Sequence, residues 1–160
     1  MMICSYTGVH FLDVKCDSKS FAFSVSLSEL SYETEQFVNK VIEYREGHFL
    51  AVAWDNNKFI FIDHLKERIE QIIMHPKKDN YSVRCWGLEL MPDFDIVKCP
   101  FAVARDNIGI ILIDINQRRA YLLTELPISV NLFGHGDILK LFKTDSGETV
   151  ISTVVQDVHS

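Results

Sequence analysis

The chain has 160 residues, 48% of them hydrophobic and 24% charged, close to globular averages, which argues against disorder and allows one ordinary domain. Its formal net charge of −6, from 16 basic and 22 acidic residues, argues against nucleic-acid binding as the main role. No apolar run approaches the roughly 18 to 20 residues of a membrane span, and the N-terminus MMICSYTGVHFLDV lacks the basic and apolar regions of a secretory signal. Cys4, Cys16, Cys85 and Cys99 are few and scattered, which suits reduced thiols in the cytoplasm or nucleus, an intracellular location.

In chain order, Ile3-Cys4 and Val9 to Val14 flank a turn-like Ser5 to Gly8. Ser20 to Leu27 then alternates Phe21, Phe23, Val25 and Leu27 with serine or alanine, the period-2 signature of a half-buried strand. A polar connector, Ser28 to Gln36, separates this from four strand candidates: Phe37 to Tyr44, His48 to Ala53, Lys58 to Asp63 and Arg68 to Met74. Asp, Asn and Gly in the intervening turns suit tight reversals because they tolerate left-handed backbone angles or bond their own backbone. A helix over Asp63 to Met74 competes locally through Leu65, Ile69, Ile72 and Ile73, but the strand is preferred because its later echo, Ala120 to Leu126, is short and stopped by Pro127. After the linker His75 to Asn80 come Ser82 to Leu90, Pro100 to Ala104, Gly109 to Asp114 and Ala120 to Leu126. The loop Met91 to Lys98 is long, as is Pro127 to Phe133, and Asp137 to Phe142 and Thr149 to Val155 close the series around Thr144 to Gly147.

That echo is general. Leu50 to Met74 moved forward by 51 positions (Ala102 minus Ala51) lies over Phe101 to Glu125 with nine identities in 25 positions and no gap. They are Ala51, Val52, Ala53, Asp55, Asn56, Ile60, Ile62, Asp63 and Arg68. The reading is all-β: a β-propeller-like array of four-stranded antiparallel blades, about 12 strands in all, forming an incomplete ring. One segment covers residues 1–160: a half-blade at 1–27, blades at 37–74 and 82–126, and a half-blade at 134–160.

The last half-blade opens on Gly134-His135 and reaches Asp157 22 residues after the histidine. Together with the turn at Asp145-Ser146-Gly147, this resembles the WD-repeat pattern. The resemblance implies that an aspartate in the turn between a blade's second and third strands hydrogen-bonds the opening histidine. Asp55, Asp106 and Asp157 occupy that turn position, and His135 with Asp157 is the implied pair; His75 sits where a second such histidine would be. Asp13, Asp63 and Asp114 occupy the aspartate of the Trp-Asp ending, with Leu12, Ile62 and Ile113 where tryptophan would stand.

Propellers close with 4 to 8 blades, and about 40 to 50 residues each gives this chain about three. The remainder of the ring then comes from a longer chain, or from a second copy exchanging half-blades to build six.

No chemistry emerges from the motifs. The cysteines and histidines contain no C-x2-C or H-x3-H pair, so no metal is expected, and no cofactor. No G-x-S-x-G is present, and Gly134-x-Gly136 is not a phosphate loop. Asp93 and Asp95 read as a solvated loop rim. Arg118-Arg119 lacks the flanking residues of the paired-arginine motif of phosphoinositide-binding propellers. The expectation is a non-enzymatic module that binds other proteins, with Trp86, Phe94 and Phe133 as candidate anchors because aromatics dominate interface energy. The alternative from another class is a small closed β-barrel holding an apolar ligand.

Overall fold

A computed structural model of the protein describes residues 2–4, 8–17, 22–33, 38–53, 58–77, 85–126 and 139–153, without the side chains of 2–4, 12–17, 22–33, 53 and 86. These residues form thirteen strands and no helix. The strands are β1 (Met2–Cys4), β2 (Gly8–Asp17), β3 (Ala22–Glu33), β4 (Val38–Arg45), β5 (His48–Ala53), β6 (Lys58–Asp63), β7 (Arg68–Met74), β8 (Cys85–Leu90), β9 (Phe101–Asp106), β10 (Gly109–Asp114), β11 (Arg119–Glu125), β12 (Leu139–Lys143) and β13 (Thr149–Thr153).

They fall into four antiparallel sheets: β1-β2-β3, β4-β5-β6-β7, β8-β9-β10-β11 and β12-β13. The second and third are complete four-stranded blades, each a meander in chain order, as short turns dictate. Among the described residues no barrel closes, which is against the architecture of the apolar-ligand alternative. The physical reason is that both faces of each complete blade are apolar, so the sheets stack face to face instead of curling round one interior.

Alternation along the strands divides the core into three seams. Phe59, Phe61 and Ile73 of the second blade meet Ala102, Ala104, Ile111 and Ile113 of the third. The opposite face of the second blade, with Ala51, Ile60 and Ile62, packs against Val9 and Phe11 of the first sheet. Val103, Ile110 and Leu112 turn the other way, toward Leu139, Leu141 and Ile151 of the last sheet. Each fully buried Leu, Ile or Phe stabilises by about 1.5–3 kcal/mol, so these seams hold the array together. The inner strands also touch. β4 packs near β8 and β1, β12 packs near β8, and the Asn39 amide donates to the Cys85 carbonyl.

β2 runs on to Asp17 and β9 to Asp106, beyond the expected Val14 and Ala104, and two differences in the first sheet are larger. The first sheet has three strands rather than two, since β1 pairs with β2 from Met2↔Phe11 to Cys4↔Val9. β3 continues to Glu33 through much of the polar stretch read as a connector, because Ser31, Tyr32 and Glu33 extend the backbone ladder opposite His10, Val9 and Gly8 beyond a bulge. Backbone pairing needs no apolar side chain, so the composition concealed it. β7 is a strand as expected. The rival helix fails because Leu65, which would share its apolar face, is 68% exposed in the preceding turn.

Candidate functional site

The turns between first and second strands and those between third and fourth strands lie on one face of the array. In the second blade the His64 amide donates to the Gly47 carbonyl at 2.8 Å, and in the third the Ile115 amide donates to Pro100 at 2.9 Å. Gly47 has φ 71°, and a Cβ there would stand 2.6 Å from Leu65 Cγ, so glycine is what lets Leu65 lie over this turn.

Asp63 and Asp114 each close a third strand and cap the turn after it. Asp63 Oδ1 accepts from the Lys66 amide at 3.1 Å, and Asp114 Oδ1 from the Gln117 amide at 2.9 Å. Asp63 is 1% exposed. Burial works against its carboxylate, but the Lys66 amide and the His48, Lys66 and Arg68 charges outweigh it and hold the group below its ordinary value.

The loop Met91–Lys98 is built rather than slack. Asp95 Oδ1 accepts from both the Val97 and Lys98 amides at 2.8 Å, and Asp95 and Cys99 exchange backbone hydrogen bonds at 3.1 and 2.9 Å. Those amides keep the Asp95 carboxyl below its usual range. Asp93 is lowered chiefly by the Lys143 ammonium at 2.9 Å, and Cys99 is raised by burial and by Asp93. The Asn116 amide donates to the Ile96 carbonyl, tying this loop to the next turn. The result is a rigid hairpin tip that holds Val97 81% exposed.

Among the expected anchors, Phe94 is half-buried and packs against the core between the blades, so it braces the loop. The Trp86 side chain and Phe133 lie outside the described residues. Val97 and Leu65, the most exposed large apolar residues described, were missed. Aliphatic residues flanked by turn formers were the available signal, and the aromatic criterion passed over it.

Arg118 is committed within the fold. It donates to Tyr44 Oη at 3.1 Å and to Glu70 Oε2 at 2.8 Å, and its guanidinium lies 3.9 Å from the Phe61 ring centroid. It joins the third blade to the second.

The opposite face carries a buried pair. His75 Nε2 and Asp106 Oδ2 are 2.6 Å apart, with side chains 1% and 2% exposed. Asp106 Oδ1 accepts from the Ile108 and Gly109 amides at 2.8 Å each, and the Lys77 amide donates to His75 Nδ1 at 3.0 Å. With Nδ1 accepting, Nε2 carries the proton and donates to Asp106. The segment after β7 is thereby locked to the β9–β10 turn. Asp55, His135 and Asp157, the other residues of the implied pattern, lie outside the described residues.

No group of three or more histidine, cysteine, aspartate or glutamate side chains has metal-site geometry among the described residues. No helix of the structure is long and apolar enough to cross a membrane.

With this geometry in hand, the chain was compared with known proteins. No family model matches it, and no curated protein does. Among solved structures it is similar to apo AztD from Citrobacter koseri, with a TM-score of 0.53 at 15% identity over 96% of this chain. The chain spans 44% of that protein's length. The likeness is one of fold.

Proposed function

We propose that the chain is part of a WD-repeat-like propeller that acts without catalysis, as an intracellular scaffold for other proteins. The reading is supported by the His75–Asp106 bond, which joins a blade-opening histidine to an aspartate between second and third strands, as the resemblance implies. The observation that carries the scaffold role is Val97, an apolar side chain held 81% exposed by a rigid, hydrogen-bonded loop, with Leu65 68% exposed in a turn at the same end of the second blade. Binding residues concentrate on ordered loops set on a rigid scaffold, and these two exposed apolar side chains favour this face over the opposite one as the recognition surface. The ring is completed by further blades from a longer chain or from another copy.

The test places a photo-crosslinking residue at position 97 in cell extract, with and without Leu65→Asp. Discrete protein adducts that disappear with Leu65→Asp are expected. If the same adducts form from position 140, on β12, this face is not the recognition surface.

A further inference from the structure

The loop that carries Val97 is held by two different seams. On one side Phe94 and Ile96 pack against the core between the second and third blades, and the Asn116 amide donates to the Ile96 carbonyl. On the other side Met91 packs against the cluster of Val103, Ile110 and Leu139, which Leu141 and Ile151 of the last sheet also join. Glu89, two residues before the loop, accepts from the Leu141 amide at 3.2 Å. Lys143, the last residue of β12, places its Nζ 2.9 Å from Asp93 Oδ2. The last sheet therefore meets the loop at its approach, at its first residue and at its third.

Asp93 passes this contact on. Its Oδ1 accepts from the Cys99 thiol at 3.6 Å while Oδ2 takes Lys143. Cys99 in turn exchanges backbone hydrogen bonds with Asp95, and the Asp95 carboxylate caps the Val97 and Lys98 amides. A continuous chain of bonds thus runs from Lys143 through Asp93, Cys99 and Asp95 to the amide of Val97. The Lys143 and Asp93 side chains are 40% and 45% exposed, so their ion pair contributes little to global stability. It can still select the pose of a loop, because local openings draw on far less free energy than global unfolding.

We propose that the last sheet sets the pose in which Val97 is presented, with Lys143 as the positioning residue that acts through Asp93. The inference rests on the reading of Val97 as a recognition residue, and it names what regulates that surface. A change in the docking of β12 is felt at Val97. By linkage, a partner bound at Val97 favours the docked position of β12 by the same factor.

The test uses the 160-residue chain, with and without the crosslinking residue at position 97, and three changes: Lys143→Glu, Lys143→Arg, and Lys143→Glu combined with Asp93→Lys. Lys143→Glu is expected to lower the yield of position-97 adducts up to about fivefold and to speed amide exchange at Val97, Lys98 and Cys99. Exchange in β9 and β10 and the Tm change little. Lys143→Arg keeps the wild-type values and the charge exchange restores them, a pattern that a residue needed only for folding would not give. Unchanged exchange at those three amides in Lys143→Glu overturns the proposal. So does an adduct yield that stays at the wild-type level. If the wild-type chain itself gives no adducts at position 97, the scaffold role fails, and the exchange rates still decide the coupling.

Discussion

Glu67 and Arg118 stand 51 positions apart and share a backbone φ of 55°. Both end the turn between third and fourth strands, and neither is glycine. The repeat therefore extends to the backbone angle where the side chains have diverged. A left-handed angle costs a non-glycine residue about 1–2 kcal/mol. Glu67→Gly relieves that strain and leaves the protein as stable or up to about 1 kcal/mol more so, because glycine's freer unfolded state offsets part of the gain. Arg118→Gly has the opposite sign, since it deletes the contacts to Tyr44, Glu70 and Phe61. Denaturant melts of the two variants give the comparison, and a loss at Glu67→Gly would contradict this account.

The His75–Asp106 bond is buried at both ends, so removing one partner strands the other. His75→Ala is expected to destabilise by about 1–3 kcal/mol. Asp106→Asn is expected to cost a similar amount if its amide nitrogen faces the Nε2–H donor. A double-mutant cycle returning no coupling energy would show the pair to be incidental.

Gly87 faces the last sheet so closely that a Cβ there would lie 2.6 Å from Leu139 Cβ. Gly87→Ala must push β12 off the third blade, at about 1–3 kcal/mol. Amide exchange is expected to rise first across Leu139–Lys143 and Thr149–Thr153. Unchanged protection there would mean that the seam has slack.

Cys85 is buried, and burial, with the Asp106 charge as the second cause, pushes its thiol up to about 12. The fold favours the neutral thiol, so its contribution is complete below the unfolded thiol's value of about 8.5 and is lost as pH rises toward 12. Alkylation mapped by mass spectrometry at pH 8 is expected to spare Cys85 until denaturant is added. Rapid labelling of the native chain would refute its burial.

Asp63, Asp93 and Asp95 are all held below the ordinary carboxylate value. Groups lowered in the fold stabilise it at pH values above their unfolded value of about 3.9, and that stability disappears as pH falls through the lowered values. Tm is expected to be flat from pH 7 to 5 and to drop steadily below about pH 4. Asp63→Asn makes that drop shallower, and an identical acid limb in the variant would sink the assignment.

Much of the architecture was legible before any coordinates. Ala51 to Ile62 and Ala102 to Ile113 fixed two blades because their alternation reports two buried faces, and a face buried at one register is exposed at the next. The turns at Asp63 and Asp114 were legible because a short acidic side chain caps a tight turn using only its neighbours. The extension of β3 to Glu33 was not, since Ser31 and Glu33 join the sheet through their backbone. Nor was the behaviour of the candidate anchors. Phe94 is an exposed aromatic by loop position alone, yet three-dimensional folding turns it into the core and leaves Val97 outside. The sequence by itself determined strand, turn and repeat, because those depend on local angles and on period-2 alternation. Only the tertiary structure decided which histidine meets Asp106, which arginine is tied to Tyr44 and Glu70 and which is buried against Thr153, because each depends on stacking between sheets distant in sequence.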